Sequence, residues 1–318
     1  MKFMVKMLML AAMTFPCASF ARRLKPEVEK AMQKGALAEI RLKVVDDKGA
    51  PVTNASVRAI MDMPSDEYSM FGKTDTNGEY VVRGKTNGNY IKFLVDKDGY
   101  YDSRKRITYI QMYAEHDVQD DKWQPYGAFE KIVLRDIRNP VEMPKELFWK
   151  FKYTDAINTW IGYDIKENDF VAPYGSGKVS DFEVFIDWDG AWLPTYRGMV
   201  VKIRFTEPFG GYYAYDVNVD SEFKGPYAAL PDSIRMTSAE FSERVLENGE
   251  REQKCFDSSK CWVVRSRCKV SPEGRLIAAN YSVIYGVVFT CKKGGYGGFC
   301  ITGAFNPTPN DTNLEPKR

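Results

Sequence analysis

Lys73 to Tyr80 reads KTDTNGEY, a polar octapeptide between a run ending RAIMDM and one beginning VVRG. Asp75 can cap the turn's own amides, and Gly78 stands where a Cβ would clash. A strand therefore ends, reverses and resumes, and the stretch predicts a hairpin. Calcium needs about six to eight oxygens, whereas Asp75 with Asn77, or Asp96 with Asp98, offers about three. No metal is expected at either turn.

The same punctuation recurs on both sides. AEIRLKVVD, SVRAIM, NYIKFLVD and FEKIVLRDI are short alternating or β-branched runs, separated by Asp47-Lys48-Gly49, Asn77-Gly78, Asn87-Gly88 and Asp98-Gly99. Such runs, broken by residues that tolerate positive φ, predict an antiparallel sandwich. The order Gly49-Ala50-Pro51-Val52, Ala55-Ser56-Val57, then Thr74 to Tyr80 and a later Gly-x-Tyr resembles the carboxypeptidase regulatory-like family. That resemblance covers about residues 38 to 137 and implies a seven-stranded, transthyretin-like (prealbumin-like) β-sandwich. It implies no chemistry.

The chain has 318 residues, enough for about two domains. Hydrophobic residues make up 44% and charged residues 28%, with a mean hydropathy of −0.40, which excludes a polytopic membrane protein. Forty-five Lys and Arg against 43 Asp and Glu leave a net charge of +2. So small an excess supplies no field for gripping a phosphate backbone, and nucleic acid is not an expected partner. Arg104-Lys105-Arg106 reads as a solvated strand end.

Residues 1 to 21 read as a secretory signal peptide: two lysines, an apolar stretch too short to span a bilayer, and Ser19-Phe20-Ala21 as the cleavage triplet. Lipid anchoring at Cys17 is the rival reading, and Pro16 fits it poorly. The mature chain is therefore expected to be exported, periplasmic or extracellular, with no transmembrane segment. Residues 22 to 37 form a leader able to hold a short helix. Cys255, Cys261, Cys268, Cys291 and Cys300 lie in the last quarter and are the disulfide candidates in an oxidising compartment. Their odd count leaves one over.

Pro140 and Pro144 mark a linker at 138–148. From 149 to 318 the texture is aromatic and again mostly β, predicting a larger sandwich or jelly roll with at most one short helix. That helix is placed at Thr237-Ser238-Ala239-Glu240, a capping box ahead of FSERVLENG. CWVVRSRCKV and RLIAANYSVIYGVVFTC read as a long hairpin, and GGYGGFC as a tip anchored by Cys291 and Cys300. Gly162 to Phe182 (GYDIKENDFVAPYGSGKVSDF) and Phe305 to Glu315 (FNPTPNDTNLE) resemble an uncharacterised module of secreted Verrucomicrobia and Planctomycetes proteins. No activity is carried over with that resemblance.

His116 is the only histidine and has no glycine-elbow serine near it, so triad chemistry is not expected. Asp181, Glu183, Asp187, Asp189, Asp216, Asp220 and Glu222 could supply the paired carboxylates of a carbohydrate-active hydrolase. Asp181 and Glu183 would share a strand face. Trp188, Trp192, Tyr196, Tyr212, Tyr213 and Tyr215 are the candidate ligand-binding residues, since exposed rings stack on pyranose faces, although core packing competes for them. The resulting expectation is a non-enzymatic exported binding or structural protein of the bacterial envelope, without cofactor or metal. Its expected partner is a polysaccharide or an envelope protein, with the hydrolase as the alternative.

Overall fold

In the computed structural model, residues 24–88, 90–109, 118–146, 150–188, 198–218, 220–246 and 249–317 are described. The helix α1 (Pro26–Lys34) opens with proline in its first turn, carries Glu27 and Glu29 there, and ends on Lys34 and Gly35. Acids at the start and a cation at the end suit the helix dipole. Val28 and Ala31 bury its one apolar side in the first core.

The first sandwich contains β1 (Ala36–Val45), β2 (Ser56–Asp62), β3 (Glu67–Lys73), β4 (Glu79–Thr86), β5 (Ile91–Asp96), β6 (Tyr100–Tyr101), β7 (Ser103–Ile107), β8 (Val118–Gln119), β9 (Lys122–Trp123), β10 (Ala128–Val133) and β11 (Arg135–Asp136). One sheet places β1 between antiparallel β4 and parallel β10, with β9 and β8 beyond its start; the other runs β3-β2-β5-β7. Ile40 and Leu42 of the first sheet meet Val57, Ala59, Phe93 and Val95 of the second in one core. Strand alternation sends every second side chain inward.

KTDTNGEY is a turn, but it closes no hairpin. Asp75 Oδ1 accepts the amides of Asn77 and Glu79, each at 2.8 Å. Gly78 has φ +73°, and a Cβ there would stand 2.5 Å from the Val44 carbonyl oxygen. The incoming β3 pairs with β2, whereas the outgoing β4 pairs with β1 in the opposite sheet. The turn thus carries the chain over the sandwich edge. Its twin at Asp46, whose Oδ1 accepts the amides of Lys48 and Ala50, lies in the β1–β2 connection and makes the same crossing.

The second sandwich contains β12 (Lys145–Glu146), β13 (Lys152–Thr154), β14 (Trp160–Asp164), β15 (Asp169–Phe170), β16 (Phe182–Asp187), β17 (Gly198–Arg204), β18 (Gly211–Asp216), β19 (Ser238–Val245), β20 (Arg251–Lys254), β21 (Lys260–Val270), β22 (Leu276–Lys292) and β23 (Tyr296–Phe305). One sheet runs β23-β22-β21-β18, with β12 and β13 on β23, and the other runs β15-β14-β16-β17-β19-β20. Their shared core is aromatic: Tyr163, Phe182, Phe299 and Phe305 are fully buried or nearly so. The long β21–β22 hairpin is present, turning at Ser271–Arg275.

The capping-box helix is not. Ser238–Val245 is strand β19, pairing residue by residue with β17 from Gly198↔Arg244 to Arg204↔Ser238. A helix would forfeit that ladder and withdraw Phe241 from the core, where it lies 5.7 Å from the Trp262 ring. Local capping chemistry is worth about 1 kcal/mol and yields to that burial. A short 3-10 turn, Pro231–Ser233, also lies in this half of the chain. Among the described residues no helix is long and apolar enough to cross a membrane.

A charged joint connects the sandwiches. Arg135, 5% exposed, lies 4.5 Å from the Phe223 ring and 4.4 Å from the Tyr227 ring. It donates to Asp47 and to the carbonyls of Phe223 and Gly225. Tyr101 donates to the buried Glu315 carboxylate at 2.8 Å, which also accepts the amides of Arg138 and Asn139.

Candidate functional site

The aromatic candidates do not form one exposed platform. Trp188 is fully packed at 2% exposure. Tyr212 points into the sandwich and stacks on Trp262 at 4.1 Å, while Tyr213 faces the other side of the same strand, in a small cluster with Ala229 and Leu314. Among the described candidates only Tyr215, toward the strand end, is exposed. Trp192 and Tyr196 lie outside the described residues, as do Asp189, His116, Cys17 and the signal segment. The cores claimed these rings because two sandwiches must each fill an interior about 10 Å thick.

The acids separate likewise. Asp181 and Glu183 share no face, because Asp181 precedes β16 and turns inward. It accepts from Ser266 Oγ at 2.6 Å, from the Ile165 amide at 2.8 Å, and from both Nε and an Nη of Arg267 at 2.9 Å. Asp164, also buried, takes the same guanidinium at 2.7 Å. Burial pushes the Asp164 carboxyl up, but the amides of Lys178, Val179 and Glu167, with the Arg267 charge, hold it below its usual range. Glu183 pairs with Arg204 on the outer face, Asp216 with Lys260, and Asp220 lies 3.9 Å from Lys105 at the joint. Asp187 is exposed on the edge of the same outer face. These are structural pairs on different surfaces. Retaining or inverting hydrolysis needs two carboxyls about 5 to 9.5 Å apart across one cleft.

The five cysteines are all free. Cys291 stands opposite Gly297 and Cys300 opposite Val288, so the two are three pairs out of register on their hairpin. Cys261, on β21, is separated from Cys300, on β23, by the whole of β22. A disulfide requires Cα atoms within about 7 Å, and strands two apart in a sheet lie about 9.6 Å away. The expected staples are therefore absent, and the GGYGGFC tip is closed by the strand ladder instead. Burial pushes the Cys261 thiol up to about 12 and that of Cys300 up to about 11.

An apolar groove of about 540 Å³ with converging polar groups lies at the open edge of the second sandwich. Its apolar part is Phe256, Val287, Val288 and Phe289. Glu222, Lys224, Glu243, Gln253, Ser258 and Thr302 surround them. Local chemistry builds it from three sides. The β20–β21 turn is tied by Asp257 accepting the Ser259 amide and hydroxyl, which sets Phe256 5.2 Å from Trp262. Arg251 holds Glu243 at 3.2 Å on the edge strands. On the third side, β22 slips register between Ile284 and Gly286, and a Cβ at Gly286 would come within 2.9 Å of the Thr302 hydroxyl. Such a bulge re-aims the side chains that follow.

The groove brings the carboxylates of Glu222 and Glu243 and the ammonium of Lys224 around an apolar floor. Among the described residues no group of three or more His, Cys, Asp and Glu is placed to take a metal ion. An apolar floor with a few fixed polar groups is the ordinary form of a ligand site, and the volume lies in the usual range of about 300 to 1,000 Å³. Of its residues the sequence reading named Cys255 and Glu222, and for other roles. Phe256, Gln253 and Val288 carry no local motif, because they come from the β20–β21 turn, β20 and β22 and meet only through strand pairing and the register slip in β22.

No family model matches the chain, and no curated protein matches it. Among solved structures, 3-chlorocatechol 1,2-dioxygenase of Rhodococcus opacus 1CP aligns over 33% of this chain and 62% of its own at 14% identity, with a TM-score of 0.26. Catechol 1,2-dioxygenase of Pseudomonas arvilla C-1 aligns over 33% of this chain and 54% of its own at 13% identity, also with a TM-score of 0.26. A streptococcal ancillary pilin aligns over 89% of this chain and 63% of its own at 9% identity, with a TM-score of 0.22. The chain thus spans less than two thirds of each of these proteins. At such TM-scores none of them bears on what this one does.

Proposed function

We propose that the chain is an exported, non-enzymatic binding protein whose second sandwich holds a segment of polysaccharide in the edge groove. In this reading the first sandwich, of carboxypeptidase regulatory-like type, is its rigid support. The observation that carries the reading is the groove itself: an apolar floor suited to a pyranose face, ringed by carboxylate, ammonium, amide and hydroxyl groups suited to sugar hydroxyls. Asp181, Glu183 and Asp216 are each tied to a different cation on a different face, which supports binding over hydrolysis by those acids.

A glycan array probed with the full chain tests the proposal, followed by calorimetry on the best ligand. Val288→Arg fills the groove and Gln253→Ala removes an amide at its rim, and neither disturbs the Phe256–Trp262 contact. Binding that weakens at least about tenfold in Val288→Arg, a loss of about 1.4 kcal/mol, supports the groove. Absence of any glycan ligand, or binding that both variants retain in full, refutes it.

A further inference from the structure

The outer face of the β3-β2-β5-β7 sheet carries a cation cluster that three separate strands assemble. Arg58 on β2 stands opposite Leu94 on β5, and Leu94 opposite Arg104 on β7. In the next outward row Lys92 stands opposite Arg106. Arg58, Arg104 and Arg106 are exposed, and none of the three forms an ion pair among the described residues. Lys92 has one weak partner, Glu67 at 3.7 Å, at the sheet edge. Lys105, between the two arginines in sequence, points the opposite way, to Glu130 at 2.9 Å. Alternation along β7 therefore sorts the run Arg104-Lys105-Arg106, sending two of its cations to a shared surface and one to the joint.

Apolar groups are interleaved with these charges. Phe71, 71% exposed, lies 5.6 Å from the Arg58 guanidinium, and Ile60 and Leu94 line a shallow depression of about 300 Å³ beside Lys92, Arg104 and Arg106. The Tyr90 ring holds Lys92 at 4.3 Å and Arg106 at 4.7 Å, fixing both heads over the sheet. Asp96, one row further along, is the nearest acid on β5. Four cations thus stand at strand spacing, about 5 to 10 Å apart, on a rigid surface with apolar ground between them.

We propose that this face binds an acidic polysaccharide, with the guanidinium groups taking the carboxylates or sulfates and Phe71, Leu94 and Ile60 meeting the sugar rings. Arg58 spends its Nε on Ser69 Oγ at 3.1 Å, but none of the three guanidiniums has a carboxylate partner among the described residues, and such groups favour planar oxyanions, which they grip in a fork. The site is independent of the edge groove and would stand if that reading fell.

The test uses the full chain, with polygalacturonate and, as a neutral control, dextran, in affinity electrophoresis at 50 and 300 mM salt. Polygalacturonate should retard the protein, less so at high salt, and dextran should not. The triple variant Arg58→Gln, Arg104→Gln, Arg106→Gln changes only exposed groups and should bind about ten- to a hundredfold more weakly, with less salt dependence. Lys293→Gln, which removes an exposed cation at the β22–β23 turn, should leave polygalacturonate binding unchanged. Equal retardation by dextran, full retention by the triple variant, or capture by phosphatidylglycerol vesicles without polygalacturonate binding would each overturn the proposal.

Discussion

Replacing Arg267 by methionine removes one cation from two buried carboxylates. Arg267 reaches them because β21 slips register between Ser266 and Lys269, and the residue adopts φ +54° at the slip. It lies 4.4 Å from the Phe305 ring, and methionine preserves much of that packing. Asp181 and Asp164 would remain, with side chains at 0% and 2% exposure. Orphaning a buried ion costs about 3 to 5 kcal/mol. The lower end applies here, since Arg267 is itself 20% exposed and both carboxylates keep hydrogen bonds from Ser266, Ile165, Lys178 and Val179. A loss of about 3 kcal/mol in a unit of this size lowers Tm by about 6 to 12 °C. Scanning calorimetry of the full chain at pH 7 reads it. Asp164 titrates below its usual range in the folded chain, so its stabilisation is fully present above the unfolded value near 3.9 and is lost as pH falls through the folded one. The gap between parent and variant should therefore hold down to about pH 4 and narrow only as pH falls below it. A variant melting within about 1 °C of the parent at pH 7 would refute the structural role assigned to the triad.

Gly78→Val should cost the first sandwich at least about 2 kcal/mol, since a β-branched residue must adopt φ +73° while its Cβ meets the Val44 carbonyl; an unchanged thermal transition would show that the crossing turn tolerates a side chain. Iodoacetamide at pH 8 should label exposed Cys255 first and spare Cys261 and Cys300, whose buried thiols stand near 12 and 11. Non-reducing peptide mapping that recovers a Cys291–Cys300 or Cys261–Cys300 pair would contradict the strand register. Arg135→Met strips the joint of its hydrogen bonds to Asp47, Phe223 and Gly225, at a cost of about 2 to 4 kcal/mol. Trypsin should then cut between the sandwiches faster than in the parent, and an equal rate would show that the joint is held elsewhere.

The sequence alone determined the turns and the β character. Asp75 caps its own amides and Gly78 tolerates positive φ through contacts a few residues long, which any reader of the chain can see. Period-two alternation likewise separates inward from outward residues, as Lys105 and its neighbours demonstrate. What each strand pairs with is a different matter. The same octapeptide serves a hairpin or a crossing, and only the fit of β4 against β1 selects the crossing. The capping box at Thr237 was overridden by a seven-pair ladder with β17, and aromatic residues suited to a ligand platform were drawn into the cores. The groove and the cationic face depend on still longer distances, joining side chains from strands far apart in sequence through register and bulges. Local dihedral preferences are written residue by residue, whereas pairing, burial and surface clusters are settled by the competition of all strands for the same two interiors.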